Sequence, residues 1–223
     1  VRNTPKELAR VIVADNGSTD GSLALLEQEF PETERLVLDK NYGFPGGYNL
    51  AIKETEAEYI VLLNSDVEVT EGWLQPMIRS LDSDRLLAGV QPKIKSYREK
   101  EKFEYAGACG GFIDWLGFPF CRGRILNTLE ADRGQYDVET EIFWATGAAM
   151  CIRREAYLMS GGLDETFFAH MEEIDLCWRL KNRGFHFRVV PQSTVFHLGG
   201  GTLPMNHPHK LFLNYRNNLN MKR

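Results

Sequence analysis

With 223 residues, 43% of them hydrophobic and 11% aromatic, the chain can bury a large core in one or two domains. A net charge of −5 excludes a general nucleic-acid surface, although a nucleotide could still bind as a small ligand, which needs only a local site. Cys109, Cys121, Cys151 and Cys177 lack short metal-type spacing. Cys151 and Cys177 lie in apolar patterns as core thiols, which fits a reducing compartment. With no leader-like stretch and no long apolar span in the sequence, the segment is expected to be soluble.

The β-branched run Ala9 to Asp15 predicts a buried parallel strand ending in a carboxylate. Asn16 to Ser22 reads as a tight loop and cap, and Leu23 to Phe30 as a helix. Leu36 to Leu38 predicts a second strand. The Gly-rich stretch Asn41 to Asn49 then feeds a helix running to about Ala57. A strand at Tyr59 to Leu63 ends at Asn64-Ser65-Asp66, followed by a helix over Gly72 to Leu81 and a strand over Leu86 to Ile94. Such alternation means a doubly wound α/β sheet.

From Ser96 to Ile142 charges, glycines and aromatics alternate without a period, as in a loop-rich excursion. A strand is predicted over Trp144 to Arg153, with a short helix to Ser160. The next helix starts near Glu172, placing the acid pair Glu172-Glu173 at its positive end. Ile174, Cys177 and Leu180 share one face of it, and Asp175 can pair with Arg179 one turn on. Phe185 to Val190 is a strand, Thr194 to His197 continues extended, and Gly199 to Gly201 ends it. The tail from His207 to Arg223 is helical in pattern and basic.

In doubly wound sheets ligands sit beyond the carboxyl ends of the strands. Asp15 and Asp66 both lie there, near a Gly-rich helix start suited to phosphate. A strand-end Asp is also a common turn or cap residue, and Asp66 could cap the segment Thr70-Glu71-Gly72.

In this order the motifs resemble the family 2 glycosyltransferases of GT-A fold, most closely their rhamnosyltransferase-like branch. The resemblance rests on Val13 to Ser22, Asn41 to Asn49, Leu62 to Val67, Thr146 to Met150 with Arg153-Arg154, Gly161 to Arg179, His197 with Gly200, and Tyr215-Arg216-Asn217. It implies a mixed sheet in one domain with two halves: residues 1–95 bind the nucleotide sugar, and residues 96–223 bind the acceptor and carry catalysis. Family members begin with a further strand and helix ahead of the Asp15 strand. The chain is therefore expected to lack these, with the Leu62 strand on one side of Val11–Ala14 and an open edge on the other. A second departure is Glu172-Glu173, where the family usually shows Glu-Asp.

The resemblance implies an inverting, metal-dependent transfer of a sugar, with rhamnose as the branch's suggestion, from a nucleotide-diphosphate donor. The acceptor would be a glycan or lipid-linked molecule in bacterial cell-surface polysaccharide synthesis. Donor contacts fall to Asp15, Asn16, Ser18, Asn41, Gly43, Gly47, Asn49, Asn64 and Asp66. Asp66 and His197 would share one Mg²⁺ or Mn²⁺. Glu173 would be the general base, ionised at neutral pH, with Glu172 orienting the acceptor and Trp144 stacking on it. Trp144 could equally be core, and Arg216 reads better as part of a solvated basic helix than as a phosphate ligand. The expected location is cytoplasmic, with peripheral association at the inner membrane face and no nucleic-acid partner. Two other functions fit parts of the pattern: a catalytically inactive nucleotide-sugar-binding module, kept open by Glu173 and Asn64, and a nucleotidyltransferase, which would need a basic Gly-rich loop at the first strand.

Overall fold

The computed structural model describes residues 2–105, 107–126, 128–199 and 208–221. The first part of the chain runs β1 (Ile12–Asp15), α1 (Ser22–Glu29), β2 (Glu34–Val37), α2 (Gly43–Lys53), β3 (Tyr59–Leu63), β4 (Val67–Val69), α3 (Leu74–Asp82) and β5 (Leu87–Ser96). Five short strands occupy the aperiodic stretch: β6 (Gly111–Ile113), β7 (Pro119–Cys121), β8 (Arg124–Ile125), β9 (Thr128–Leu129) and β10 (Thr140–Ile142). The chain then forms β11 (Ala149–Arg153), α4 (Arg154–Met159), α5 (Glu172–Lys181), β12 (His186–His197) and α6 (Pro208–Met221).

The main sheet has the order β10-β12-β5-β11-β3, with β4 pairing the far end of β12. β12 runs parallel to β5, while β11 runs antiparallel to both β5 and β3. The sheet therefore interleaves strands from both sides of residue 95. Along β11 the two-residue pleat sends Met150 and Ile152 into one core, with Tyr157, Phe167, Ile174 and Leu180. Ala149 and Cys151 enter the other, against Trp73, Leu74, Met77 and Leu81 around α3. All four thiols are free and buried.

β12 is one strand, not two segments. Its register against β5 shifts between Val190 and Thr194, across Pro191, which has no N–H to donate to the ladder. Past this bulge His197 pairs with Val67 of β4 on one side and Ser96 of β5 on the other. That pairing carries His197 to the turn that holds Asp66.

The edge expectation needs correction. β1 pairs in parallel with β2, and the Leu62 strand β3 pairs with β11, so β1 and β3 are not hydrogen-bonded neighbours. Among the described residues, no strand pairs the second edge of either one. The helix α2 spans the two sheets: Tyr48 donates its hydroxyl to Leu63 O (3.0 Å), and Asn16 Nδ2 at the end of β1 donates to Gly43 O (2.8 Å).

Candidate active site

The Gly-rich run is already helical. α2 begins at Gly43, whose φ of +73° suits glycine; a Cβ there would lie 2.8 Å from Phe168. Gly47 leaves space for the Asn16 side chain, since a Cβ would fall 3.0 Å from its Nδ2. Asn16 Oδ1 also accepts from Tyr42 N (2.9 Å), and Asn41 Oδ1 from Gly43 N (2.8 Å). Asp15 is buried and accepts from Ser18 N (2.9 Å). Asp15, Asn16, Ser18, Asn41, Gly43 and Gly47 thus form one cluster at the carboxyl end of β1. In it Asn16 and Asn41 clamp the loop with the polar atoms expected for donor contacts.

Asn49 does not join this cluster. Its Oδ1 accepts from Tyr157 Oη (2.6 Å) and Leu163 N (3.0 Å), and its Nδ2 donates to Leu163 O (2.8 Å) and Glu165 Oε1 (3.1 Å). With these bonds made, Asn49 staples α2 to the Gly162–Glu165 turn; it is not a donor contact. Trp144 needs the same correction. It is 6% exposed, its indole N–H donates to Phe112 O (2.9 Å), and its ring packs against Gly111, where a Cβ would come within 2.0 Å. It is a core residue and offers no ring face for an acceptor sugar.

The acid pair opens α5 as expected, and Asp175 pairs with Arg179 at 2.7 Å. Before it lies a strained loop: Phe168, His170 and Met171 all have φ between 64° and 74° without being glycine. Asn217 of α6 holds that loop, with its Nδ2 within reach of Phe167 O (3.1 Å), Ala169 O (2.8 Å) and His170 O (2.7 Å). Arg216, half-buried, donates to Thr166 O (3.0 Å) and Phe167 O (2.8 Å), so it also braces this loop. Phe44 N donates to Phe168 O (2.9 Å), tying the loop to the start of α2.

Glu172 is buried, and Glu172 Oε2 and Glu173 Oε2 have no hydrogen-bond partner. Burial pushes the Glu172 carboxyl well above the usual range, and the charge of Glu173 adds to this. Burial also raises Glu173, while the backbone amides of Glu173 and Gly147 offset part of the rise. Both carboxyls are thus harder to ionise here than an exposed glutamate. Such a pair weakens the fold. The penalty sets in as pH rises above the unfolded glutamate value, about 4.3, and is complete once the raised folded value is passed. Glu172→Gln is therefore expected to melt at a higher temperature than the unaltered chain at neutral pH, with the gap closing below about pH 4. Thermal scans at the two pH values check this; an equal or lower midpoint at neutral pH would contradict it.

Glu173 packs against Gly147, where a Cβ would lie 3.7 Å from its own Cβ. One residue on, Ala148 O accepts from Asn64 N (3.0 Å), and two residues past Asn64 is Asp66. Asp66 Oδ1 lies 3.1 Å from His197 Nε2, and Leu198 N donates to Asp66 O (3.0 Å). The acid pair, the Gly147 turn, the Asn64–Asp66 turn and His197 are thus linked by successive short contacts. Burial lowers the pKa of His197, but Glu104 and Asp66 more than offset this and leave it raised.

Two further residues in this cluster belong to none of the sequence motifs. Gln91 is fully buried; it donates to Gly107 O (3.0 Å) and accepts from Thr146 N (3.0 Å), which fixes the turn at Gly147. An amide in the middle of an apolar strand was the available signal. Glu104 Oε1 lies 3.5 Å from His197 Nδ1, and no pattern in the aperiodic stretch marked it. Clefts of about 480 Å³ beside Arg153 and Leu158 and about 410 Å³ beside Asn49 and Gly162 lie apart from the Asp66–His197 pair.

The family model described as glycosyl transferase family 2 matches residues 1–157, more than half of the sequence. The chain belongs to glycosyl transferase family 2. Over 205 residues this family 2 chain is 26% identical to N-acetylglucosaminyl-diphospho-decaprenol L-rhamnosyltransferase of Mycobacterium tuberculosis, covering 84% of the chain and 66% of that relative. It is 24% identical over 204 residues to rhamnosyltransferase WbbL of Escherichia coli K12, covering 87% of the chain and 75% of WbbL. The chain thus spans just under two thirds of the length of the mycobacterial relative. Among solved structures, GalNAc-T7 with UDP, GalNAc and Mn²⁺ superposes with a TM-score of 0.72 at 15% identity, covering 99% of this chain and 43% of that one. S. aureus TarS residues 1–349 in complex with UDP gives 0.58 at 17% identity, covering 86% and 52%. The fold is the GT-A fold.

Proposed function

We propose that this family 2 chain carries the catalytic site of an inverting glycosyltransferase. The observation that supports this most directly is the linked cluster of the acid pair, whose two Oε2 atoms lack a hydrogen-bond partner, with Gly147, Asn64, Asp66 and His197. A nucleotide-diphosphate sugar is the donor. Rhamnose is the sugar named in both bacterial relatives and the first to test. Asp15 and the two loops that Asn16 and Asn41 clamp together, with Ser18 and Gly43 to Gly47, bind the nucleoside end, and Asn64 lies beside the ribose. Glu173 accepts the proton of the acceptor hydroxyl as its oxygen bonds to the anomeric carbon. On the opposite side of that carbon the bond to the diphosphate oxygen breaks, and the nucleoside diphosphate leaves. Glu172 orients the acceptor. Adjacent helical residues point about 100° apart, so the two carboxylates serve different atoms.

The residues present fit a divalent cation. Asp66 Oδ1 and His197 Nε2 converge at 3.1 Å, a carboxylate and an imidazole of the type Mn²⁺ or Mg²⁺ accepts. Among the described residues no three His, Cys, Asp or Glu side chains form a metal cage alone. Asp66 and His197 would hold the ion, with diphosphate oxygens and water filling its shell. When bound, the ion supplies Lewis-acid charge to the leaving group.

A lipid-linked acceptor fits the surface next to the site. The buried side of α6 includes Asn217 and Asn218, while Leu211, Phe212, Tyr215 and Leu219 are 47%, 58%, 71% and 66% exposed. On a helical wheel these four fall within a ~100° arc. From the buried side Asn218 Nδ2 donates to Gly117 O (3.0 Å), joining α6 to the hairpin bearing Trp115, which is 90% exposed. An apolar, aromatic face on the helix that holds the acid-pair loop suits an acceptor presented at a bilayer. Among the described residues no helix is long and apolar enough to cross a membrane. The test is incubation with dTDP-rhamnose, Mn²⁺ and a polyprenyl-diphosphate sugar. Transfer with inversion at the anomeric carbon is expected. No transfer from any nucleotide-diphosphate sugar tried, with donor binding intact, would favour an inactive binding module.

A further inference from the structure

We propose that Glu104 is a positioning residue that keeps the proton of His197 on Nδ1 and so turns the Nε2 lone pair toward the cation held with Asp66. The proposal rests on the metal reading above.

An imidazole ligates through one nitrogen only if the proton sits on the other, and the partner of that other nitrogen decides the matter. Here the two sides of the ring compete. Asp66 Oδ1 at 3.1 Å from Nε2 would by itself keep a proton on the nitrogen that must ligate. His197 Nδ1 is buried and makes no formed hydrogen bond, and Glu104 is the carboxylate within ion-pair distance of it among the described residues, at 3.5 Å. Glu104 is therefore the acceptor that can draw the proton to the far side of the ring when Nε2 turns to a metal.

Both partners are fixed from one strand. Glu104 N donates to Ile94 O (3.1 Å), and Phe103 bridges Lys95 in antiparallel fashion, so Glu104 is held along the end of β5. His197 pairs with Ser96 of the same strand, and Tyr97 N donates to His197 O (2.9 Å). Glu104 is 7% exposed and His197 8%, so neither side chain swings freely into solvent. Gly199 leaves the carboxylate its space, since a Cβ there would stand 3.0 Å from Glu104 Oε1. A buried carboxylate aimed at the back of a ligating histidine makes a metal-binding triad complete on its outer side.

The test is Mn²⁺ titration followed by electron paramagnetic resonance in the presence of UDP, with Glu104→Leu and Glu104→Gln. Loss of an outer partner of this kind typically costs ~10–100-fold in metal affinity, and Glu104→Leu is expected to fall in that range. Glu104→Gln keeps an oxygen that accepts from Nδ1–H and should recover the larger part. Ring ¹⁵N spectra of the unaltered chain with Mg²⁺ and UDP give a measurement independent of any variant's folding; they should show Nδ1 protonated and Nε2 bare. A Glu104→Leu affinity equal to that of the unaltered chain, a Gln variant no better than Leu, or a proton on Nε2 would each overturn the role of Glu104. Failure of the unaltered chain to bind Mn²⁺ in the presence of UDP would instead sink the metal reading, and this proposal with it.

Discussion

Glu173→Gln is expected to lower turnover by roughly 10²–10⁴ while nucleotide-sugar binding stays nearly unchanged. The amide keeps the shape of the carboxylate and its place beside Gly147 but cannot take the acceptor proton. Burial adds to the expected loss. A base lifted above the ordinary carboxylate range is better matched to a neutral operating pH than an exposed glutamate. Glu172→Gln should be milder and act mainly on the acceptor KM. Steady-state kinetics on both variants, with donor affinity by calorimetry, separate the two roles. Full turnover in Glu173→Gln with none in Glu172→Gln would reverse the assignment.

Asp66→Ala is the second large effect, with an expected loss of about 10²–10³ in kcat, the range for removing a group that stabilises charge on a leaving atom. Its cause should be visible without turnover. Mn²⁺ affinity in the presence of UDP should fall, because one of the two protein donors at the 3.1 Å Asp66–His197 contact is gone. The backbone is expected to hold, since Asp66 O keeps its bond from Leu198 N and the β4–β12 pairing does not involve the side chain. Unchanged Mn²⁺ affinity and unchanged turnover would remove Asp66 from the metal site.

The same contrast between regular and local structure governs what the sequence made readable. β3 and β5 stand out as apolar runs because each is held in the sheet, and the first eight residues of β5 are buried between β11 and β12. The start and apolar face of α5 are legible, since Ile174, Cys177 and Leu180 are all buried and a first-turn acid pair marks its start. The segment from Ser96 to Ile142 was opaque for a physical reason. Its strands are two or three residues long, too short for periodicity, and polar side chains hold it, among them Lys93 with Asp132 (3.1 Å) and Asp137. β11 begins at Ala149, not Trp144, because Gln91 captures Thr146 N and the chain turns there. Asn49 failed as a ligand contact because composition cannot tell a polar group aimed at a ligand from one already satisfied by a distant carbonyl or hydroxyl, and Trp144 because no local pattern shows that Gly111 packs on its ring.

The most direct test of the central claim, that Glu173 is the base for sugar transfer, is the pH dependence of kcat/KM for the unaltered chain and for Glu173→Gln. A base must be deprotonated, so activity should be lost as pH falls through the Glu173 pKa. Because burial raises that pKa, the acid limb should lie above the ordinary glutamate range of about 4.3. In Glu173→Gln the limb should vanish from the small residual rate. An acid limb that persists unchanged in Glu173→Gln, or a variant that transfers sugar at the full rate, would contradict the account.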